Sequence, residues 1–169
     1  MSFVPRKYLA SDVKSALIDN SQTLSIGEVI IPGVQGDTSV VLTGGGTTSY
    51  LLGVVTGFKD QNDTALEYNT VVAENDNVTD KQVKAVYLPL YIGNPTEYIS
   101  DLDAAAETTD NSGAFGNFAV DSTGLLVDES TVVAFSTRTS VQLFSFGLTG
   151  KDTTQVTCVF FATVGGAQS

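Results

Sequence analysis

From Gly113 to Gly147 short apolar runs alternate with turn clusters. Phe115, Phe118 and Val120 lead into Asp121-Ser122-Thr123-Gly124. Leu125, Leu126 and Val127 follow, then the acidic break Asp128-Glu129-Ser130. Val132, Val133 and Phe135 end at Ser136-Thr137-Arg138-Thr139, and Val141, Leu143, Phe144 and Phe146 close on Gly147. Short β-branched and aromatic runs without a helical period predict an antiparallel meander.

The same style fills the rest of the chain. Leu24 to Ile31 alternates imperfectly and stops at Pro32-Gly33, and Thr38 to Leu42 is the next expected strand. Tyr50 to Phe58 is the most apolar run of the first half, and Gly53 and Gly57 within it predict a bulge or a close backbone approach. Lys59 to Asp63 reads as a polar turn, Ala65 to Ala73 as a strand and Glu74 to Asn77 as another turn. Pro89 places the run from Gln82 to Ile92 at a sheet edge or a bulge, because proline cannot donate to a ladder. Tyr98 to Ala106 has room for one helical turn before the polar stretch from Glu107 to Ser112, an expected loop. Gln155 to Val164 is apolar on both faces and is expected at the centre of a sheet. The fold expected is all-β, an antiparallel β-barrel or β-sandwich, as one body over residues 24–164 with a loose tail over 165–169.

Residues 1–23 read differently, as an extended N-terminal arm. Ser11 and Asp12 are placed to cap a short turn through Val13, Ala16, Leu17 and Ile18, too short to stand alone. Phe3 and Tyr8 supply apolar anchors, Pro5 stiffens the segment, and Arg6 and Lys7 are adjacent cations with Lys14 beyond them. Such an arm is suited to adding to a neighbour's open sheet edge, its cations meeting acidic groups there. Phe3, Arg6, Lys7, Tyr8 and Lys14 are therefore the candidate partner-binding residues.

Charge sharpens this picture. The formal net charge is −11, so a phosphate backbone would be repelled over most of the surface and nucleic-acid binding is not expected. The length of 169 residues suits one domain with its own core. Charged residues make up only 16%, which leaves the polar surface to Ser, Thr, Asn, Gln and Gly. The start of the chain lacks the layout of a secretory signal, and no run is long and apolar enough for a membrane helix.

The chain contains no histidine, which excludes Ser-His-Asp and Cys-His catalysis and histidine-ligated zinc. Cys158 is the only cysteine and reads as a small buried hydrophobe on the strand face of Val156, Phe160 and Ala162. Thr43 to Ser49 is rich in glycine but lacks the lysine and helix of a phosphate loop, so it reads as a hairpin loop. Acid pairs such as Asp60 with Asp63, Glu74 with Asp76, Asp101 with Asp103 and Asp128 with Glu129 fall in turns, where carboxylates do ordinary backbone capping. The oxygen-rich turns 60–63 and 74–77 match no EF-hand loop and read as solvated turns. Without a secretory signal, the acceptor patterns Asn62-Asp63-Thr64 and Asn77-Val78-Thr79 are set aside. No enzyme, cofactor or metal is expected.

The phrases Val120-Asp-Ser-Thr-Gly-Leu-Leu-Val-Asp-Glu-Ser-Thr131 and Phe144-Ser-Phe-Gly147 resemble the capsid decoration, or cement, proteins of tailed bacteriophage heads. The order of a short arm, a strand, a Gly/Thr-rich turn and Leu51-Leu-Gly-Val-Val55 is similar as well. The resemblance covers most of the chain after residue 24. It implies a β-barrel or β-sandwich body on the capsid surface of the virion, bound to the major capsid protein and assembled as trimers or dimers, with no catalysis. A length beyond that of the smallest members leaves room for an extra hairpin. Self-association, as a homotrimer, is also expected because the Val-, Leu- and Phe-rich runs exceed what one small sandwich interior needs. The alternative expectation is a receptor- or glycan-binding β module of a tail or fibre, although no tryptophan is present to stack on a sugar.

Overall fold

A computed structural model of the chain describes residues 2–19, 22–33, 36–42, 52–72, 83–89, 96–101, 118–121, 123–132, 141–146 and 155–160. Strand β4 (Val29–Gly33) shows how these are layered. Side chains alternate along a strand, so Val29 and Ile31 join one apolar cluster and Ile30 another. Apolar residues on both faces mean that β4 lies between two cores, not at a solvated surface.

The inner core belongs to a curled sheet. Its order is β4, β5 (Gly36–Leu42), β2 (Lys14–Ile18), β9 (Lys84–Pro89), β6 (Gly53–Lys59) and β7 (Ala65–Leu66). Every ladder in it is antiparallel except β2 with β5. A further pairing of β4 with β6, Val29 to Val54 and Ile30 to Gly53, closes one end into a partial barrel. Ile18, Leu24, Ile30, Val55, Phe58, Ala85 and Tyr87 fill it. A small ladder of β3 (Thr23–Ser25) with β8 (Thr70–Val72) adds Leu24 and Val71 to that interior.

The second sheet is antiparallel. It runs β1 (Val4–Pro5), β10 (Tyr98–Asp101), β14 (Gln155–Phe160), β13 (Val141–Phe146), β11 (Phe118–Val120) and β12 (Val127–Val132). Its Tyr98, Val120, Val127, Val156, Cys158 and Phe160 pack against Val29, Val54 and Leu88 of the curled sheet. The fold is all-β, as expected. β14 lies centrally between β10 and β13, also as expected, with Thr157 and Val159 buried on its opposite face.

Both glycines of β6 have structural causes. The ladder slips between Val55 and Gly57, a bulge that inserts one residue. Strict alternation would send Phe58 to the same side as Val54; the bulge returns it to the barrel interior. Gly53 marks a close approach, since a Cβ there would lie 2.5 Å from the Leu88 carbonyl oxygen.

Several expectations are corrected. Residues 13–18 form no helical turn: Ala10–Asp12 is one turn of 3-10 helix, and Lys14–Ile18 is a barrel strand between β5 and β9. Leu24 to Ile31 is two strands, broken at Gly27, whose φ of 85° ends the first. Ala65 to Ala73 is likewise split into β7 and β8. Tyr98–Asp101 is a strand and not a helical turn. Pro89 ends a strand that is central, not an edge. It is tolerated because the β2 ladder stops at Lys14 opposite Tyr87, so no partner strand requires the missing donor there. The meander is incomplete, because β13 lies against β11 instead of β12. The expected loops at 43–49, 74–77 and 107–112, the acceptor pattern at 77–79, and the tail at 165–169 lie outside the described residues.

Candidate functional site

The N-terminal segment is built into the body. Phe3 N–H donates to the Gly27 carbonyl at 3.0 Å, and Arg6 N–H to the Glu97 carbonyl at 2.9 Å. Between them Val4 and Pro5 pair with Ile99 and Tyr98, so β1 adds to an open sheet edge of its own chain. The Phe3 ring is fully buried against Tyr98 and Phe160, with ring centroids 6.4 and 5.1 Å away. Burying a phenylalanine stabilises by about 1.5–3 kcal/mol, which outweighs leaving the ring for an outside partner. Phe3 is therefore a core residue and not a partner contact, and residues 1–23 are not a free arm.

The other four candidates are exposed. Arg6 to Asp12 form a continuous exposed stretch. Arg6 Nη1 pairs with Glu97 Oε2 at 3.3 Å across the surface, while Lys7 and Lys14 stand at either side of the 3-10 turn. That turn is pinned by Asp12, whose Oδ2 accepts from Leu9 N–H at 2.9 Å. Tyr8 is 41% exposed.

Tyr8 forms one wall of a cleft that sequence reasoning did not find. The cleft, of about 520 Å³, runs between the Tyr8–Val13 segment and strands β6 and β7. Val13, Val86 and Leu66 line it, Gly57 lies on its floor, and Tyr68, 59% exposed, is its second aromatic wall. Ile26, 37% exposed, sits at one end, where its N–H donates to the Asn69 carbonyl at 2.8 Å. The tyrosines lie sixty residues apart in sequence, and only the folded chain reveals that they share a cleft. Lys59 and Glu67 are its charged lining residues.

The turn beyond β6 fixes the charges near the cleft. Asp60 Oδ1 accepts from Asn62 and Thr64 N–H, both at 2.8 Å. Asp63 adopts a φ of 64°, and Lys84 Nζ reaches its Oδ1 at 3.0 Å. That hydrogen bond and the charge of Lys84, with a smaller effect from Lys59, hold the Asp63 carboxyl below the usual range. Asp63 thus relieves the juxtaposition of Lys59 and Lys84, directly opposite each other in the β6–β9 ladder. Both carboxylates of this oxygen-rich turn serve the turn itself.

A second acidic pair was also missed. Asp121 is buried, with Oδ1 accepting from Leu125 and Leu126 N–H and Oδ2 from the N–H and hydroxyl of Thr123. The turn it organises hands the Gly124 carbonyl to Val29 N–H at 2.7 Å, joining the two sheets. Beside it Glu28 is buried and accepts from Ser25 N–H at 2.7 Å. Burial pushes the Glu28 carboxyl up to about 7; the Ser25 amide opposes this rise and the Asp121 charge adds to it. Cys158 is fully buried, which pushes its thiol up, as expected of a packing residue. Among the described residues no three Cys, Asp or Glu side chains are grouped to hold a metal ion.

No protein-family model, curated protein or solved structure matches this chain.

Proposed function

We propose that this chain is a non-enzymatic virion structural protein that binds the outside of a tailed-phage head and stabilises the capsid lattice. The observation that carries the reading is a concentration of exposed cations and apolar side chains on one segment of an acidic protein. Arg6, Lys7 and Lys14 flank Tyr8 and the 64%-exposed Leu9, while the chain as a whole carries −11. A basic and apolar contact strip on an otherwise repelling surface orients docking on an acidic protein partner and speeds encounter. The major capsid protein is that partner, and the protein docks as a homotrimer. The virtual absence of Lys and Arg from the second sheet, where Arg138 and Lys151 are the only cations after Lys84, leaves the opposite side free of such a strip.

The test is co-sedimentation with empty heads assembled from the major capsid protein. Binding that weakens with salt, and weakens further in Lys7→Glu with Lys14→Glu, is the expected result. Heads that sediment without the protein at every salt concentration overturn the reading. Light scattering of the free and shell-bound protein checks the trimer.

The second reading, a glycan-binding module of a tail or fibre, is favoured by Tyr8 and Tyr68 facing a common cleft. Aromatic walls with polar neighbours suit sugar rings. A glycan array answers it directly.

A further inference from the structure

Strand β6 has a gap along one side. β4 pairs with it at Gly53 and Val54, and β7 takes up the same side only at Phe58 and Lys59. Val55 is held there by the turn before β4, donating to the Glu28 carbonyl at 2.9 Å and accepting from Gly27 N–H at 2.7 Å. Thr56 and Gly57 remain between these neighbours, and they line the cleft. Thr56 turns its hydroxyl to the Val86 carbonyl at 3.3 Å, on β9. At Gly57 a Cβ would meet nothing within 4 Å, so the floor of the cleft is open space.

We propose that this cleft receives an extended segment of a partner protein, with one apolar side chain entering over Gly57 between Tyr8 and Tyr68 and flanking carboxylates meeting Lys7, Lys14 and Lys59. A volume of about 520 Å³ accommodates a few side chains and not a folded element. Ile26, Leu66 and Val86 give it an apolar lining, which selects an aliphatic or aromatic anchor. An interrupted strand side offers backbone groups to an extended chain. The charges then choose among extended chains. Lys59 is on the lining, and Lys7 and Lys14 bracket the Tyr8–Val13 wall, on a protein of net charge −11. Glu67, the carboxylate on the lining, together with that net charge, disfavours a polyanion such as nucleic acid. A short acidic peptide with an apolar centre satisfies each feature. The inference rests on the docking reading above and assigns the place and chemistry of the contact.

The probes are two synthetic pentapeptides with a central phenylalanine, one flanked by aspartate and glutamate and the other by lysine, titrated into the full chain. Amide signals of Gly57, Leu66 and Tyr68 are followed by NMR. The acidic peptide is expected to shift them with salt-sensitive affinity, and the basic peptide to bind at least tenfold more weakly. Gly57→Val fills open space without a clash and should weaken the acidic peptide about tenfold while leaving the circular dichroism unchanged. Lys59→Gln should remove most of the salt dependence. Equal binding of both peptides, binding of neither, or full binding to Gly57→Val overturns the proposal. A neutral oligosaccharide shifting these signals where the acidic peptide does not also overturns it, and assigns the cleft to glycan. The titration contains no heads, so it can fail while head binding stands. Heads that retain Gly57→Val while the peptide does not would place the capsid contact elsewhere and likewise overturn the assignment of this cleft.

Discussion

Glu28 is a carboxyl at the contact of two sheets, with the Asp121 carboxylate as its near anion and the Ser25 amide as its donor. Its ordinary value of 4.5 is raised to about 7 by burial, so between these values the folded chain binds a proton that the unfolded chain has released. Stability is then highest below about pH 4.5, as far as this group is concerned, and falls as pH rises through 7. The difference is on the order of 2 kcal/mol. Glu28→Gln keeps an oxygen for the Ser25 amide and removes the titration. Urea midpoints measured from pH 5 to pH 8 should decline for the native chain and run level for the variant. Equal slopes for the two proteins would show that Glu28 is ionised throughout. Nothing in the sequence singled out Glu28 from the other acidic residues, because its burial depends on the Asp121 turn arriving from nearly a hundred residues away. Asp121 itself was legible as a turn residue, from the Asp-Ser-Thr-Gly pattern. That it would be buried with four donors was not, since this needs the β4 contact.

Within elements, Gly53 and Gly57 make a controlled comparison. Both looked alike in the sequence as marks of a bulge or a close approach, and each outcome occurs once. Gly53→Ala forces a methyl against the Leu88 carbonyl and the Tyr87 ring, a backbone contact that cannot simply rotate away. It should destabilise by about 1–3 kcal/mol. Gly57→Ala meets open space and stiffens the unfolded chain, and should change stability by no more than about 1 kcal/mol, in the favourable direction if any. Thermal melts of the two variants check the contrast, and a Gly57→Ala loss as large as that of Gly53→Ala would contradict this geometry. Strands whose alternation was continuous, such as β14, were read correctly because pattern alone assigns their faces. β2 was misread because the spacing of Val13, Ala16, Leu17 and Ile18 also fits a helical turn. Ladders on both sides, to β5 and β9, decide in favour of the strand. Local pattern has no access to such pairings.

At the scale of the whole molecule, the sheets share a core. Phe3 enters with the N-terminal segment, Val29, Val54 and Leu88 come from the barrel, and Tyr98, Val120, Val127 and Phe160 from the second sheet. Val29 N–H to the Gly124 carbonyl and Phe3 N–H to the Gly27 carbonyl bind the layers further. Neither sheet can unfold without exposing the apolar face of the other, so the described parts should melt as one unit. Phe3 is the most exacting probe of this, because an N-terminal residue of a free arm would contribute nothing. Phe3→Ala removes a fully buried ring from between Tyr98 and Phe160 and should cost about 3–5 kcal/mol. Removing residues 1–5 should cost at least as much, since it also strips β1 from the edge of β10. In urea, both variants should show a lower midpoint with a single transition, coincident by far-ultraviolet circular dichroism and by tyrosine fluorescence. A truncated chain with an unchanged midpoint would mean that the segment is dispensable and that the Phe3 pocket closes without it. Two separate transitions in the native chain would mean instead that the shared core does not couple the sheets.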